Sequence, residues 1–328
     1  LNLPRNLYLE TTSRCNLRCK GCIQHRGSWE PPRDLSLNEL IRICDQLPEL
    51  ERVALHGIGE PLLNEDLPDM IRYLKGRNAY VFFNSNGILL DAHRQDQLMD
   101  AGLDELRISL DAASAAGYQA VRNSDQFDLI VGNVQAFSER IQSLHASGPR
   151  LSLWCLGTRE NIAELPGLVR LAASLGVSEV YLQRLVYFQD HEGYGLAKPE
   201  KTLMDSDPAL AELIEESGRV AGRSGVQFNA SGLSDPMASL QTAGGSSMAW
   251  KRCYRPTTLM YITAGGNVLP CCIAPFATFD YDSIVLGNAL DRALAEIWYG
   301  PRYTRFRERH KTQDPPKCCQ GCGILWSL

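Results

Sequence analysis

No stretch of this chain reaches the ~18 uninterrupted apolar residues that a membrane-spanning helix needs. The N-terminus lacks the apolar core of a secretory signal. Together these absences exclude a membrane partner and place the expected location in the cytoplasm. Internal repeats and low-complexity tracts are also missing. Hydrophobic residues make up 44% and charged residues 22%, which excludes collagen-like, fibrous and fully disordered chains. Neither charge sign dominates: 33 basic and 38 acidic residues leave a formal net charge of -5. An acidic balance argues against a dedicated nucleic-acid binder, although a local basic patch escapes such an average.

What the chain does have is cysteine. Eleven occur, at 15, 19, 22, 44, 155, 253, 271, 272, 318, 319 and 322. An odd count cannot pair completely within one chain, and without a secretory signal a disulfide framework is not expected. Three cysteines crowd the start and six fall in the last quarter. Core-filling cysteines would scatter, so this clustering points to metal.

The length of 328 residues suggests about two domains at ~150 residues each. Residues 7–12 read as a short strand, and a strand–helix alternation follows the first cysteine group. Strands are expected at Val53–Leu55, Tyr80–Phe83, Leu106–Leu110, Leu151–Leu156 and Val180–Leu182. Helices are expected at Leu37–Leu47, Leu67–Lys75, Asp91–Ala101, Phe127–Leu144 and Ile162–Leu175, the last ending at Gly176. Six such units in about 180 residues fall short of the ~250 residues of a full eight-unit barrel. The predicted fold is therefore α/β, a partial (β/α)6 TIM-like barrel or open parallel sheet. Ligands should gather at the C-terminal ends of its strands.

The rhythm breaks after residue 186. Residues 187–250 read as a bridging segment with one helix, Pro208–Ser224, and a mobile loop. Residues 251–328 form a small cysteine-rich end, with a hairpin over Tyr261–Leu269 and helices at Asp291–Ile297 and Tyr303–His310. The basic run from Arg302 to Lys311 reads as the solvated face of that last helix.

Cys15-Asn-Leu-Arg-Cys19-Lys-Gly-Cys22 is a C-x3-C-x2-C run. A structural zinc usually takes four protein ligands, and no fourth cysteine or histidine lies at zinc-finger spacing. A zinc knot would have to recruit His25. Three thiolates suit an iron–sulfur cluster that leaves one iron open to a small molecule.

In this order the sequence resembles the radical S-adenosylmethionine (radical SAM) superfamily. The matching residues are Tyr8-Leu-Glu-Thr-Thr-Ser-Arg-Cys15, then Gly57-Ile-Gly59-Glu60-Pro61, then Phe83-Asn84-Ser85-Asn86-Gly87. Ile108-Ser109-Leu110-Asp111-Ala112, Arg122, Thr158, Asn161 and Leu182 continue the likeness. The resemblance implies a 4Fe–4S cluster on Cys15, Cys19 and Cys22 that binds SAM. It implies that Gly59 and Glu60 hold the methionine amino group, Ser109 meets the ribose and Arg122 meets the methionine carboxylate. A guanidinium fork suits a carboxylate. Asn84 and Leu182 join the implied cofactor-binding set. Ile58 stands where the family has the first glycine of a pair. Gly21 stands where an aromatic residue usually packs near the adenine, so that packing must come from the Ile23–His25 loop or the end of the sixth strand.

Cys253, Cys271, Cys319 and Cys322 give C-x17-C and C-x2-C, enough for a cluster or for a zinc ribbon by spacing alone. Their setting, with Gly266, Gly287-Asn288, Tyr303 and Phe306-Arg307, resembles the auxiliary-cluster domain of radical SAM proteins. That domain comes as a two-cluster SPASM form and a one-cluster twitch form. Six residues follow Cys322 and none is cysteine, so the twitch form with one auxiliary 4Fe–4S cluster is expected. Cys318 competes with Cys319 as a ligand. Cys272 reads as a packed thiol beside the cluster, and Cys44 as core.

The resemblance implies one-electron cleavage of SAM and hydrogen abstraction from a substrate, with electrons from a carrier such as flavodoxin or ferredoxin. The expected substrate is a small polar molecule, sugar-like or aminocyclitol-like, undergoing oxidation or epimerisation by a dehydrogenase- or epimerase-type oxidoreductase. The alternative is a maturase of peptides or proteins. Only fourteen residues precede Cys15, so the leader-binding domain common in such maturases is not expected. A non-catalytic iron–sulfur or zinc protein is the alternative of another class. Cys155, near the end of the fifth strand, is a candidate hydrogen donor, its bland reading being a small buried hydrophobe. Asp190, His191, Glu192 and Tyr194 are candidates for the substrate mouth.

Overall fold

The computed structural model describes residues 2–25, 30–143, 148–184, 201, 203, 208–230, 253–278 and 280–320, without the side chains of 25 and 184. The strands are β1 Asn6–Leu9, β2 Arg52–Ala54, β3 Tyr80–Ser85, β4 Glu105–Ser109, β5 Arg150–Gly157, β6 Glu179–Arg184 and β7 Gln227–Ala230. They pair in parallel, each with the next. Between them run α1 Leu37–Cys44, α2 Leu67–Gly76, α3 Ala92–Asp100, α4 Ala115–Arg122, α5 Phe127–Ser143, α6 Leu165–Ser174 and α7 Pro208–Ser224.

The chain then returns to the opposite edge of the same sheet. After the short helix α8, Arg255–Thr258, strand β8, Leu259–Ile262, pairs in parallel with β1. Strands β9, Asn267–Leu269, and β10, Gly287–Asn288, continue as an antiparallel meander. Helices α9, Leu294–Trp298, and α10, Pro301–His310, close the C-terminal region. The resulting sheet has ten strands in the order β10-β9-β8-β1-β2-β3-β4-β5-β6-β7 and does not close. The expected open parallel α/β architecture is present, with α7 on its expected residues. Strand β7 adds a parallel strand where the sequence reading placed none. Its four residues, between Gly225 and a stretch of small and polar residues, carry too little alternation to signal a strand.

Local chemistry explains the element ends. Ser36 and Glu39 form a reciprocal capping box at the start of α1. The Asp91 side chain caps α3 by accepting from the Arg94 backbone N–H. Gly176 ends the turn after α6 at φ 67°, as its sequence position suggested. Helix α6 buries Leu165, Leu168, Val169 and Ala172 along one face. Each Leu or Val so covered contributes about 1.5–3 kcal/mol.

Two sequence expectations need adjustment. Helix α4 was not foreseen, although Ser114 caps it by accepting from the Gly117 N–H. In α10 the run of basic residues is not uniformly solvated. Arg302, Arg305 and Arg309 are exposed, but Arg307 is buried. Its guanidinium donates to the Trp298 and Pro256 carbonyls at 2.6 and 2.8 Å and stacks over the Trp298 and Tyr303 rings. A planar cation with fixed donors serves here as a packing element.

Candidate functional site

Because side chains alternate across a strand, every second residue of β1–β6 points to the inner face of the curved sheet. There, at the C-terminal ends of the strands, lies a cavity of about 550 Å³. Cys15, Cys19 and Cys22 line it, together with Gly59, Glu60, Asn84, Ser109 and Arg122. Residues spread over more than a hundred positions thus line one cavity.

The loop carrying the three cysteines is held from both sides. The Glu60 N–H donates to the Arg14 carbonyl at 2.8 Å, and Asn86 donates to the Asn16 side chain at 2.8 Å. At Gly59 the backbone approaches so closely that an added Cβ would lie 2.0 Å from the Thr12 carbonyl oxygen and 2.7 Å from that of Arg14. Only glycine permits this contact. Glu60 is buried and accepts from the Leu62 N–H, the Ser85 hydroxyl and the Asn86 N–H at 3.2, 2.8 and 2.7 Å. Burial raises its pKa, and these donors oppose that rise.

Helix α4 delivers Arg122 to the cavity from its last turn. Arg122 Nη1 lies 3.7 Å from Cys19 Sγ, and Nε lies 2.6 Å from a carboxylate oxygen of Asp111. Burial works against its charge, but Asp111 and Cys19 outweigh burial and raise its pKa. Burial likewise pushes the Cys15 thiol up to about 11 and raises that of Cys22.

The donor set fits the implied group. Among the described residues, no three His, Cys, Asp or Glu side chains converge closely enough for a single metal ion. Three thiols along one wall suit a larger, multi-iron cluster instead. The Asn84 side-chain oxygen is buried at the same cavity without a hydrogen-bond partner among the described residues, an acceptor open to a ligand donor. The cavity also exceeds the ~300 Å³ lower bound of ordinary ligand sites.

Two expected residues lie elsewhere. Trp154 and Leu156 face the cavity, so the intervening Cys155 points to the opposite side of β5. It is 2% exposed, lies 3.9 Å from the Asn161 amide nitrogen, and burial drives its pKa well above the thiol norm. A hydrogen donor must reach the substrate, and this thiol does not. The same alternation in β6 sends Tyr181 and Gln183 inward and leaves Leu182 buried on the other face.

Strand alternation also supplies residues that motif reading missed. Tyr8, His56, Arg107, Trp154 and Tyr181 line the same cavity. Trp154 and Tyr181 stack at 4.0 Å and 14°. Arg107 packs over Trp154 and Phe82 and donates to Glu105 at 2.7 Å. Burial, with Arg107 nearby, lowers the His56 pKa to about 3 and keeps its ring neutral. The polar and aromatic residues alternating with buried aliphatics on β5 and β6 were the available signal.

The second thiol group adjoins the first cavity. Cys253 and Cys318 are buried, Cys271 is half-buried, and Cys319 Sγ lies 4.0 Å from Cys318 Sγ. Burial raises the Cys271 pKa, and Cys272, Cys318 and Cys253 add to that rise. Arg255 sits near Cys272, Cys271 and Cys253, and a guanidinium there favours thiolates. Cys272 lines the first cavity rather than merely packing beside a cluster. Cys44 is core, as expected. Cys322, Asp190, His191, Glu192 and Tyr194 lie outside the described residues.

Comparison with known proteins agrees with this geometry. Residues 9–172 match the radical SAM superfamily. Residues 253–323 match SPASM, an iron–sulfur cluster-binding domain. A PqqA peptide cyclase of Streptomyces rochei is 28% identical over 322 residues, covering 96% of this chain and 81% of the relative. A tungsten-containing aldehyde ferredoxin oxidoreductase cofactor-modifying protein of Pyrococcus furiosus is 25% identical over 325 residues, covering 95% of this chain and 85% of the relative. In fold, the chain is similar to Streptococcus suis SuiB bound to precursor peptide SuiA, with a TM-score of 0.71 at 18% identity. That likeness covers 99% of this chain and 71% of SuiB. These relatives overturn the expectation of a dehydrogenase or epimerase for a sugar-like or aminocyclitol-like substrate. Peptide cyclases from several organisms match almost the whole chain. Cysteine spacing constrains the metal sites, not what enters the cavity.

Proposed function

We propose that this chain, which belongs to the radical SAM superfamily, is a peptide maturase that joins side chains within a peptide substrate. The carrying observation is the set of peptide cyclases, 25–28% identical, that align over 96–98% of the chain. Its cofactors are a 4Fe–4S cluster, SAM and an auxiliary cluster. When bound, they supply hydrogen-abstracting radical chemistry.

The chain's own residues divide the work. Cys15, Cys19 and Cys22 would hold the SAM-binding cluster. Cys253, Cys271, Cys319 and Cys322 would hold the auxiliary one, with Cys318 as an alternative to Cys319. Gly59 allows the Glu60 loop to press against the cysteine loop, so that cluster and methionine sites share one rigid wall. Asn84 offers its unpaired oxygen, Ser109 its hydroxyl and Arg122 its guanidinium to the cofactor. The Trp154–Tyr181 stack, Tyr8 and Arg107 would form the substrate end, where aromatic faces exclude water from a reactive radical. Electrons would come from a small carrier of the flavodoxin or ferredoxin class. A reducing cytoplasm would keep the thiols available for metal.

The test is to reconstitute the protein anaerobically, reduce it, and supply SAM with synthetic peptides encoded beside its gene. The expected result is 5′-deoxyadenosine together with a peptide lighter by two hydrogens. Turnover of sugars or aminocyclitols, with every peptide unchanged, would sink the proposal.

A further inference from the structure

We propose that the Tyr118 hydroxyl donates a hydrogen bond to the cluster held by Cys15, Cys19 and Cys22 and thereby raises its reduction potential. The inference rests on the ligand assignment made above. Tyr118 lies on α4, is fully buried, and its hydroxyl has no hydrogen-bond partner among the described residues. Buried hydroxyls are rarely left unpaired, because the lost hydration is not replaced. We assign the missing partner to what fills the cavity that Val121 and Arg122 of the same helix line.

Position on the helix says what that partner is. Tyr118 and Arg122 stand one turn apart on the same face of α4. Arg122 already reaches to 3.7 Å from Cys19 Sγ. The Tyr118 hydroxyl feels the charges of Arg122, Cys19, Asp111 and Cys15, all of which line the cavity. Its ring packs beside Phe127 with centroids 6.0 Å apart, and the side chain is closed off from solvent. Burial raises the phenol pKa to about 12, so it remains a donor at neutral pH. Cluster and cysteinyl sulfurs are acceptors, and hydrogen bonds to them stabilise the more negative, reduced state.

Tyr118→Phe removes the donor and keeps the ring. We expect the variant to load iron as the parent does, and its SAM-binding cluster to titrate at a lower potential, followed by EPR without SAM present. An unchanged potential, or a shift seen only after SAM is added, would overturn the proposal, the latter because the acceptor would then be SAM. In the cluster-free protein the substitution should leave the melting temperature unchanged or higher, since it deletes an unpaired group. A lower melting temperature would reveal a partner within the protein and also refute the idea. A Cys15→Ala, Cys19→Ala, Cys22→Ala variant separates the two readings. If it keeps the SAM-responsive EPR signal, the ligand assignment fails. If it loses that signal while Tyr118→Phe titrates like the parent, only the role of Tyr118 fails.

Discussion

The Glu10 carboxylate accepts a hydrogen bond at 3.1 Å from the backbone N–H of Ala264, a residue 254 positions away. Glu10 follows β1, and Ala264 lies in the turn between β8 and β9. The other carboxylate oxygen accepts from the Ile58 and Gly59 N–H groups at 2.6 and 3.4 Å. One buried side chain thus ties the Ile58–Gly59 backbone to the C-terminal region. Burial raises the Glu10 pKa, and the three backbone donors pull it back toward the ionised form.

Glu10→Ala would strand those three donors. We expect a stability loss on the order of 3 kcal/mol, since an unsatisfied buried polar group costs about 1–3 kcal/mol. SAM affinity should fall as well, because the Gly59 loop loses its anchor. Urea unfolding and SAM binding by the reconstituted protein check both. A variant as stable as the parent with unchanged affinity would refute the coupling.

Gly59→Ala tests the close approach of the two loops. The new Cβ meets backbone atoms, 2.0 Å from Thr12 O, so the cysteine loop itself must move. Overpacking of this kind costs about 1–3 kcal/mol. If the strain falls on the site, iron loading and SAM affinity drop roughly tenfold, since tenfold corresponds to about 1.4 kcal/mol. Normal iron content with normal SAM binding would show that the contact is not needed.

Cys155→Ala should lower stability by about 1 kcal/mol through lost packing, and leave 5′-deoxyadenosine formation within about twofold of the parent. The thiol faces away from the cavity, so chemistry inside does not sense it. A loss of product with retained 5′-deoxyadenosine formation would restore Cys155 as a hydrogen donor.

His56 gives a pH prediction. Its folded pKa is lowered to about 3 from the ordinary 6.5, so the unfolded chain binds the extra proton first as pH falls. The stabilisation is fully present above pH 6.5 and is lost between there and about pH 3. The slope is up to about 1.4 kcal/mol per pH unit. His56→Gln, which cannot titrate, should show a shallower fall in stability between pH 6 and 4, measured by denaturant unfolding of cluster-free protein. Parallel profiles for the two proteins would contradict this.

Much of the site was legible because radical chemistry on a cluster constrains local sequence. Cys15, Cys19 and Cys22 lie close together in sequence, Gly59-Glu60 comes after β2, Asn84 and Ser109 sit at the C-terminal ends of β3 and β4, and Arg122 ends α4. Periodicity then placed those strands. Legibility failed where the same periodicity had to decide a direction. Cys155 and Leu182 were assigned to a strand end correctly, but inward and outward differ by a single residue. β7 and α4 were missed because each is short, and their stability comes from packing against β6 and α5.

The sequence alone marked where the metal chemistry lies. Ligand type, number and spacing are local properties, and nine of the eleven cysteines, in two groups, already implied two sites. It also determined the parallel α/β class, because hydrophobic period and turn residues repeat along the chain. Only the tertiary structure decided which side chains share the cavity. Arg107, Trp154, Tyr181 and Arg255 come from separate elements and meet solely because the sheet curves. The Glu10–Ala264 bond arises only when the C-terminal strands return to β1. The Tyr118 hydroxyl could be recognised as unpaired only once everything packed around it was in place.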